Sequence, residues 1–421
     1  MNQKSFPIEC EEESVADIAD KEGTSPDGGF GWLVVFGCFL VNFVVLGVQY
    51  TYGIYQEYYY TVLFQKQEKI STLSLVGTLS TTLTAILGIF TGRLIDRYGY
   101  RTIASTGAIF LTAGLIAASF ANKVWHLYLS QGMLYGVGAS LCFYPAVSLP
   151  SQWFDKRRGL ATGMAIAGTG VGGLALGPLT RKLIDIIGVE WTLRAVGVGA
   201  FIVLALAIPL LRSRLAPPPR SNFFNMELLT NKYFQVLFSG GLVVSLGYLI
   251  PFFYIPSYAV NQGLASSDGA LIIGIVNATG AVGRIAVGSI ADKVGRVNMI
   301  FICVLVASLD VLIFWNLAHT FGTILSFGMI YSFFAGGYIG LIPVVTAELF
   351  GISGIATSTG LVYASTGIGY LIGVPVAGAI LDSTAPTTNY KGTILFGGFS
   401  MLVAAALLFT LRVLKYGFRY P

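Results

Sequence analysis

Long apolar blocks recur along this chain, and they restrict what it can fold into. A helix of about twenty apolar residues crosses the roughly 30 Å of hydrocarbon in a bilayer. Of the 421 residues, 55% are hydrophobic and 11% are charged, and the mean hydropathy is +0.74, which excludes an ordinary soluble protein. The sequence therefore predicts an all-α membrane protein whose twelve transmembrane helices lie near residues 32–58, 72–95, 102–121, 125–149, 159–180, 191–211, 233–259, 269–290, 298–317, 321–346, 355–380 and 393–413.

The basic residues predict which loops face the cytosol. Lys and Arg cluster after spans 2, 4, 6, 8 and 12, and positive loops are retained on the cytoplasmic side. Both termini are therefore expected to be cytosolic. The acidic first thirty residues lack the basic region and apolar core of a secretory signal. We expect a multi-pass protein of the plasma membrane, with the vacuolar membrane as the alternative, and the net charge of +5 indicates no nucleic-acid partner.

An internal repeat divides the chain into two halves. "GRLIDRYGYR" begins at Gly92 and "GSIADKVGR" at Gly288, an offset of 288 − 92 = 196. "TGVGGLALGP" begins at Thr169 and "TGIGYLIGVP" at Thr366, an offset of 366 − 169 = 197. The predicted organisation is a cytosolic N-terminal tail, a six-helix bundle, a cytosolic linker, a second six-helix bundle and a C-terminal tail, over residues 1–31, 32–211, 212–232, 233–413 and 414–421.

The repeated loop is similar to a signature of the major facilitator superfamily, which reads roughly G-x-L-x-D-R-x-G-R-R. The resemblance implies two six-helix halves with a substrate site at the midplane between them. We interpret the two loops as a conformational latch, in which Asp96 and Asp292 pair with basic groups or helix N-termini of the other half. A plain solvated turn is the alternative. The latch candidates are Asp96, Arg97, Arg101, Asp292, Lys293 and Arg296.

Two further motifs resemble the monocarboxylate transporter family in its fungal branch. They are "PDGGFGW" at 26–32 and "WFDKRRGLATG" from Trp153, and their motif residues are Asp27, Gly28, Gly29, Trp32, Arg157 and Arg158. From the residues themselves, the Asp-Gly-Gly turn is expected to cap span 1, and Trp32 suits a membrane interface. Simple helix entry is the alternative for the first motif.

Arg284 is the most conspicuous intramembrane charge, because it stands in the small, apolar run "ATGAVGRIAVG". A charge at the membrane centre costs at least about 2.5–3.5 kcal/mol, so it usually faces a wet interior and has a partner. The resemblance implies an arginine here that binds the substrate carboxylate and pairs with an aspartate one turn earlier, where this chain has Gly280. We predict an anion anchor. A hydrogen bond to carbonyls or to Asn277 is the alternative.

Other polar residues receive weaker assignments. The expected substrate site is lined by aromatics and amides, and its candidates besides Arg284 are Asn277, Gln49, Tyr52, Tyr144, Tyr248 and Tyr338. The family's lysine in span 1 is absent, which leaves Glu57 as the candidate for proton coupling. Asp310, in a peripheral span, is expected to make a structural contact or to be exposed at the interface. Glu348 is expected to belong to the latch.

These observations favour a secondary active or facilitative transporter that moves a small organic anion by alternating access, with protons as a further candidate partner. An efflux carrier for a secondary metabolite and an importer of a vitamin-like solute remain alternatives, and a non-transporting nutrient receptor is a weaker one. No enzyme is predicted, because two histidines and scattered cysteines form no catalytic or metal-binding pattern. No cofactor is expected, and the sequence does not indicate an accessory subunit.

Overall fold

The computed structural model describes residues 27–65, 70–214, 226–352, 354–383 and 389–417. Within these ranges the chain is almost entirely helical. The acidic tail before Asp27 and the triple proline of the predicted linker lie outside the described residues. The side chain of Glu57 also lies outside them, so its candidate role stays a prediction.

The first six membrane helices follow the order that the hydropathy predicts. Several contain a break or a π-helical turn, so their segments are given together. They are α1 (Gly31–Tyr50 and Tyr52–Tyr58), α2 (Ile70–Ile86 and Gly88–Tyr98), α3 (Tyr100–Ala118), α4 (Val124–Leu127, Tyr128–Leu134, Tyr135–Ser148 and Pro150–Trp153), and α5 and α6, which share the stretch Arg158–Ala207 and divide at Gly188.

The second half repeats this arrangement. A short helix at Met226–Thr230 precedes it, and the side chain of Asn231 caps the first membrane helix of this half by accepting from the Tyr233 N–H. The helices are α7 (Lys232–Tyr248 and Ile250–Asn261), α8 (Ser266–Val294), α9 (Arg296–Leu309, Asp310–Phe314 and Trp315–Leu317), α10 (Phe321–Phe350), α11 (Ile355–Asp382) and α12 (Lys391–Tyr416).

The prediction of twelve membrane crossings is confirmed. Among the described residues, ten helical stretches are long and apolar enough to span a bilayer. One of them, Arg158–Leu210, has 53 residues and bends at Gly188, so it supplies two crossings. The two segments of α2 are bent by 47° and add the twelfth. All-α architecture with two six-helix halves is therefore the observed fold.

The predicted loop between spans 5 and 6 is wrong in its extent. The spans predicted near 159–180 and 191–211 leave residues 181–190 as their connection, but the chain is helical on both sides of Gly188, where φ is +77°. Arg181 and Asp185 are exposed on this helix and face each other at 3.8 Å. Charges at helical spacing on a solvated end are compatible with a helix, so the helix continues beyond the apolar span.

Glycines with positive φ make the two signature turns. Gly99 has φ of +85° and joins α2 to α3, while Gly295 has φ of +100° and joins α8 to α9, at an offset of 295 − 99 = 196. A side chain at either position would be strained, because L-residues rarely adopt this conformation. The repeat seen in the sequence is therefore a repeat of backbone geometry.

The halves meet through α2 against α11 and α5 against α8. We call the side at which α1 begins and α12 ends the termini face. Backbones touch there: a Cβ on Gly288 would overlap the Gly159 carbonyl, and one on Gly360 would overlap the Gly88 carbonyl. Small residues permit this approach. The interface between the halves is thus closed at the termini face.

Candidate functional site

Arg284 lies on α8 where that helix packs against α5 and α10. Its side chain is buried, with 5% of the residue exposed. A Cβ on Gly163 of α5 would overlap the Arg284 carbonyl. A Cβ on Gly340 of α10 would lie 3.8 Å from the Arg284 Cβ and Cγ, which is ordinary van der Waals contact. The small residues around α8 let the three helices pack closely, so Arg284 is buried at the junction of the two halves.

The Nε atom of Arg284 is enclosed and makes no hydrogen bond within the described residues. None of the ion pairs among these residues includes Arg284. The structure therefore places no bond from Arg284 to Asn277 or to a carbonyl, which was the structural alternative. A buried charge without a protein partner is costly, so a ligand or water must satisfy it.

Gly280 stands one turn before Arg284, where the resemblance implies an aspartate. A Cβ at this position would lie 2.5 Å from Ser332 Oγ and 3.4 Å from Arg284 Nη1. A larger side chain here would therefore require the Ser332 hydroxyl, on α10, to move. The glycine at this position packs against Ser332, and the Arg284 guanidinium extends along α8 over Gly280.

Six tyrosines from both halves form a cluster around this point, which we call the tyrosine cluster: Tyr50, Tyr144, Tyr248, Tyr338, Tyr363 and Tyr370. The ring centroid of Tyr248 lies 6.2 Å from that of Tyr338 and 5.9 Å from that of Tyr370. Tyr144 of the first half lies 5.9 Å from Tyr363 of the second. Arg284 is within electrostatic range of Tyr248 and Tyr363. These spacings are those of favourable aromatic pairs.

Sequence reasoning missed the two tyrosines on α11. Neither Tyr363 nor Tyr370 is among the site residues that the sequence predicts. A signal was available, because the two residues are 370 − 363 = 7 positions apart and thus lie on one face of a helix. Tyr50 of α1 is 46% exposed, whereas the tyrosines of the cluster on α7 and α11 are buried. Tyr50 is close enough to Tyr248 and Tyr370 to interact electrostatically with them.

Three other candidates lie outside the tyrosine cluster. The Gln49 amide donates to Ser80 Oγ at 2.8 Å, between α1 and α2. The Tyr52 hydroxyl donates to the Leu73 carbonyl at 2.6 Å, again within the first half. Asn277 lies two turns before Arg284 where α8 passes Gly170 of α5. The structure thus places Tyr144, Tyr248 and Tyr338 in the tyrosine cluster, whereas Gln49 and Tyr52 bond within the first half. The Tyr144 hydroxyl also donates within the first half, to the Ala85 carbonyl at 2.8 Å.

The two signature aspartates reach across the interface to helix N-termini. Asp292 of α8 accepts from the backbone N–H groups of Gly159 at 2.8 Å and Leu160 at 3.0 Å, in the first turn of α5. Asp96 of α2 accepts from the Thr357 hydroxyl at 2.5 Å, in the first turn of α11. Neither α5 nor α11 has a side-chain cap of its own. Each half therefore caps a helix of the other.

The basic latch candidates behave differently from one another. Arg296 contacts both halves, because it donates to the Asp155 carbonyl and lies 3.3 Å from Asp292 and 3.8 Å from Glu348. Glu348 in turn pairs with Lys415 at 2.8 Å. In contrast, Arg101 donates to the Leu211 and Pro209 carbonyls of its own half, Arg97 stacks on Tyr98, and Lys293 is exposed. Within the described residues, these three make no contact between the halves.

The Asp-Gly-Gly turn closes the start of α1 through its backbone. The Gly28 and Gly29 carbonyls accept from the N–H groups of Gly31 and Trp32, whereas the N-cap residue, Phe30, makes no side-chain bond. The Asp27 carboxylate instead accepts from the backbone N–H groups of Asp155 at 2.9 Å and Arg157 at 3.3 Å. Trp32 packs on Phe154 with ring centroids 4.7 Å apart. The two family motifs are therefore in contact with each other. Asp27 has φ of +46°, and its side chain lies against the α4–α5 loop.

Loss of the Asp27 carboxylate should destabilise the first half. Asp27→Gly removes both hydrogen bonds without backbone strain, because glycine tolerates positive φ. We expect a loss of about 1–2 kcal/mol and a thermal midpoint about 2–4 °C lower. Asp27→Asn keeps an acceptor oxygen and should lose less. The control is Asp185→Asn, because a glycine within a helix would itself be destabilising. The Asp185 carboxylate is exposed, so this substitution should leave the thermal midpoint unchanged. Equal midpoints for all variants would contradict this assignment.

Known proteins resemble this chain both in sequence and in fold. The sequence profile of the Major Facilitator Superfamily matches residues 31–329. The chain belongs to the Major Facilitator Superfamily. A crystal structure of this superfamily, that of the Escherichia coli fucose:proton symporter FucP, superposes with a TM-score of 0.68, covering 90% of this chain and 99% of that one at 13% identity. That likeness shows the shared fold.

Relatives within the superfamily include fungal transporters and a mammalian monocarboxylate transporter. MFS transporter asaE of Aspergillus flavus is 30% identical over 95% of this chain and 91% of its own length. The aspyridones efflux protein apdF of Emericella nidulans is 31% identical, over 93% and 78%. Monocarboxylate transporter 12 of Mus musculus is 29% identical, over 93% and 87%. This superfamily member is thus a multi-pass membrane transporter similar to the monocarboxylate transporter family, as its motifs predicted.

Proposed function

We propose that this chain carries an organic anion across the membrane by alternating access, with Arg284 as the anchor for the anion. The observation that carries the proposal is the buried guanidinium without a protein partner in the described residues, at the junction of the two halves. An arginine fork binds a carboxylate through two parallel hydrogen bonds. A substrate carboxylate would supply the counter-ion that Gly280 leaves out.

The tyrosine cluster supports a substrate with a sizeable apolar or aromatic body. Tyrosine rings offer flat apolar surface together with a hydroxyl at the rim. Tyr50 and Tyr144 come from the first half and Tyr248 from the second, so a bound molecule would contact both halves at once. Contact with both halves is what couples occupancy to their relative movement.

The caps exchanged between the halves support an alternating mechanism. Asp292 on the α5 N-terminus and Asp96 on the α11 N-terminus stabilise the state in which the termini face is closed. Rocking of the halves would break both caps and open that face. With the termini in the cytosol, as the basic loops predict, the face that these caps hold closed is the cytosolic one.

Relatives bear on the direction of transport. The printed name of apdF assigns efflux of aspyridones to that protein. Export of a carboxylated or otherwise anionic metabolite is therefore the direction we favour, while monocarboxylate transporter 12 keeps the monocarboxylate class as a second candidate. If the substrate of this chain is a carboxylate, Arg284 would hold it in either direction of transport.

Flux through purified protein tests the proposal. The full chain is reconstituted in liposomes, and uptake is measured for pairs of labelled carboxylates and their uncharged amides, from lactate-sized to aromatic, with and without a proton gradient. We expect carboxylates to be carried at least about tenfold faster than their amides, since loss of the charge removes about 1.4 kcal/mol or more of binding. Aromatic members should be carried best. Equal rates for acid and amide would contradict the proposal.

A further inference from the structure

A second buried charge-bearing residue lies away from the tyrosine cluster. Asp310 is on α9, at the start of the π-helical turn Asp310–Phe314, and only 7% of it is exposed. Neither carboxyl oxygen makes a hydrogen bond or an ion pair within the described residues, and Oδ2 is fully enclosed. The expectation that Asp310 makes a structural contact or is exposed at the interface is therefore wrong. A buried acceptor in this position needs an explanation.

Among the described residues, no positive charge faces Asp310. Its turn packs against α10 and α12. From α10 the titratable group that faces it is Tyr331, which is within electrostatic range. On α12, the residues placed at this level are Gly398, against Val311 and Leu312, and Met401, and they carry no charge. An ionised carboxylate is unfavourable there, whereas a neutral carboxyl group is tolerated.

A second orphaned polar group directly follows this turn. The indole Nε1–H of Trp315, five residues after Asp310, is buried and has no acceptor within the described part of the chain. A π-helical turn is rare, and such turns are frequent at functional sites. Asp310 is seven residues before the end of α9 at Leu317, about 10 Å along the helix at 1.5 Å per residue. A proton could therefore reach it over a short path from the face opposite the termini face.

One hydrogen bond joins α10 to α7 on the side of the tyrosine cluster. The Tyr331 hydroxyl donates to the Tyr248 carbonyl at 2.7 Å, at the residue where the first segment of α7 ends. The ring of Tyr248 belongs to the tyrosine cluster. Within the described residues no hydrogen bond joins Asp310 to Tyr331, so a link from Asp310 to the anion anchor is part of the proposal.

We propose that Asp310 is a proton-binding site of this carrier, taking up one proton from water as an O–H group and releasing it to water in the course of transport. No other bond is made or broken. Tyr331 transmits the change to α7, where Arg284 and its anion respond. The linkage to the anion rests on the proposed function, whereas proton binding by Asp310 does not. One proton moving with one anion would leave the transport step without net charge.

Infrared spectroscopy of the full chain in lipid bilayers tests proton binding without any substrate. The carbonyl stretch of a protonated carboxyl group is compared, at neutral pH, among the wild type, Asp310→Asn and Asp185→Asn, whose carboxylate is exposed. We expect one protonated carboxyl per chain to disappear in Asp310→Asn and to remain in Asp185→Asn. Its band should titrate between about pH 5 and 9, within the range reached by buried carboxyls. A band unchanged by Asp310→Asn, or one that does not titrate, would overturn the proposal.

Two flux measurements separate this proposal from the anion anchor. With benzoate as the probe, we expect Asp310→Asn to lose accumulation driven by a proton gradient at least about tenfold, yet to retain exchange of labelled for unlabelled benzoate. Arg284→Ala should lose both. Asp310→Glu, which keeps a carboxyl group, should restore gradient-driven accumulation and controls for folding. Full gradient-driven accumulation by a folded Asp310→Asn would overturn the role of Asp310, whatever the outcome at Arg284.

Discussion

Replacement of Arg284 by alanine is expected to abolish anion transport while leaving the fold intact. Loss of one partner of a buried charge pair costs about 2–5 kcal/mol, which is roughly 30-fold to several-thousand-fold in anion affinity. Arg284→Lys keeps the charge but loses the planar fork, so it should retain only part of the activity. Carboxylate uptake into liposomes, compared at equal amounts of reconstituted protein, measures the effect.

The stability of the same variants distinguishes an anchor from a structural arginine. The buried guanidinium has no protein partner within the described residues, so its removal breaks no hydrogen bond. Arg284→Met fills similar volume without the charge and should have an unchanged or higher thermal midpoint in detergent, because an intramembrane arginine costs at least about 2.5–3.5 kcal/mol. A midpoint lowered in step with the lost transport would indicate that Arg284 supports the fold instead.

Gly288→Ala should drive the halves apart at the termini face. A Cβ on Gly288 would overlap the Gly159 carbonyl, so the closed state must shift to accommodate it. Such overpacking costs about 1–3 kcal/mol, or roughly a 5–150-fold change in the equilibrium between states. Spin labels at Lys156 and Lys293, which are exposed on opposite halves, report the distance in a variant whose native cysteines are replaced. We expect a shift to longer distances and slower transport.

Gly274→Ala is the matched control on the same helix. A Cβ at Gly274 meets no atom within 4 Å, so this substitution should leave both the label distances and the transport rate unchanged. Asp292→Asn in the same labelled background should shift the distances in the direction of Gly288→Ala, because it weakens the cap on the α5 N-terminus. Distances that stay the same in Gly288→Ala would show that the close approach of α5 and α8 does not hold this face shut.

Hydropathy and the internal repeat predicted most of the fold. Twelve spans, the paired Gly99 and Gly295 turns and the division into halves all follow from periodic features that each segment carries locally. The boundary between α5 and α6 did not follow, because Arg181 and Asp185 are as compatible with an exposed helix as with a loop. Only the backbone at Gly188 shows where the direction changes.

The site was less predictable because its partners are distant in sequence. Arg284 stood out as a charge in an apolar run, but the space that Ser332 takes beside Gly280 depends on how α10 packs against α8. The contact of Asp27 with the α4–α5 loop joins residues 128 positions apart and leaves no local pattern. Tyr363 and Tyr370 were overlooked because α11 was not expected to line the centre.

A structure of the full chain with a transported aromatic carboxylate bound tests the central claim most directly. The account predicts that the carboxylate lies against the Arg284 guanidinium with N···O distances of about 2.7–2.9 Å, and that the aromatic body contacts the tyrosine cluster from both halves. A carboxylate bound elsewhere, with Arg284 turned to protein acceptors, would contradict it.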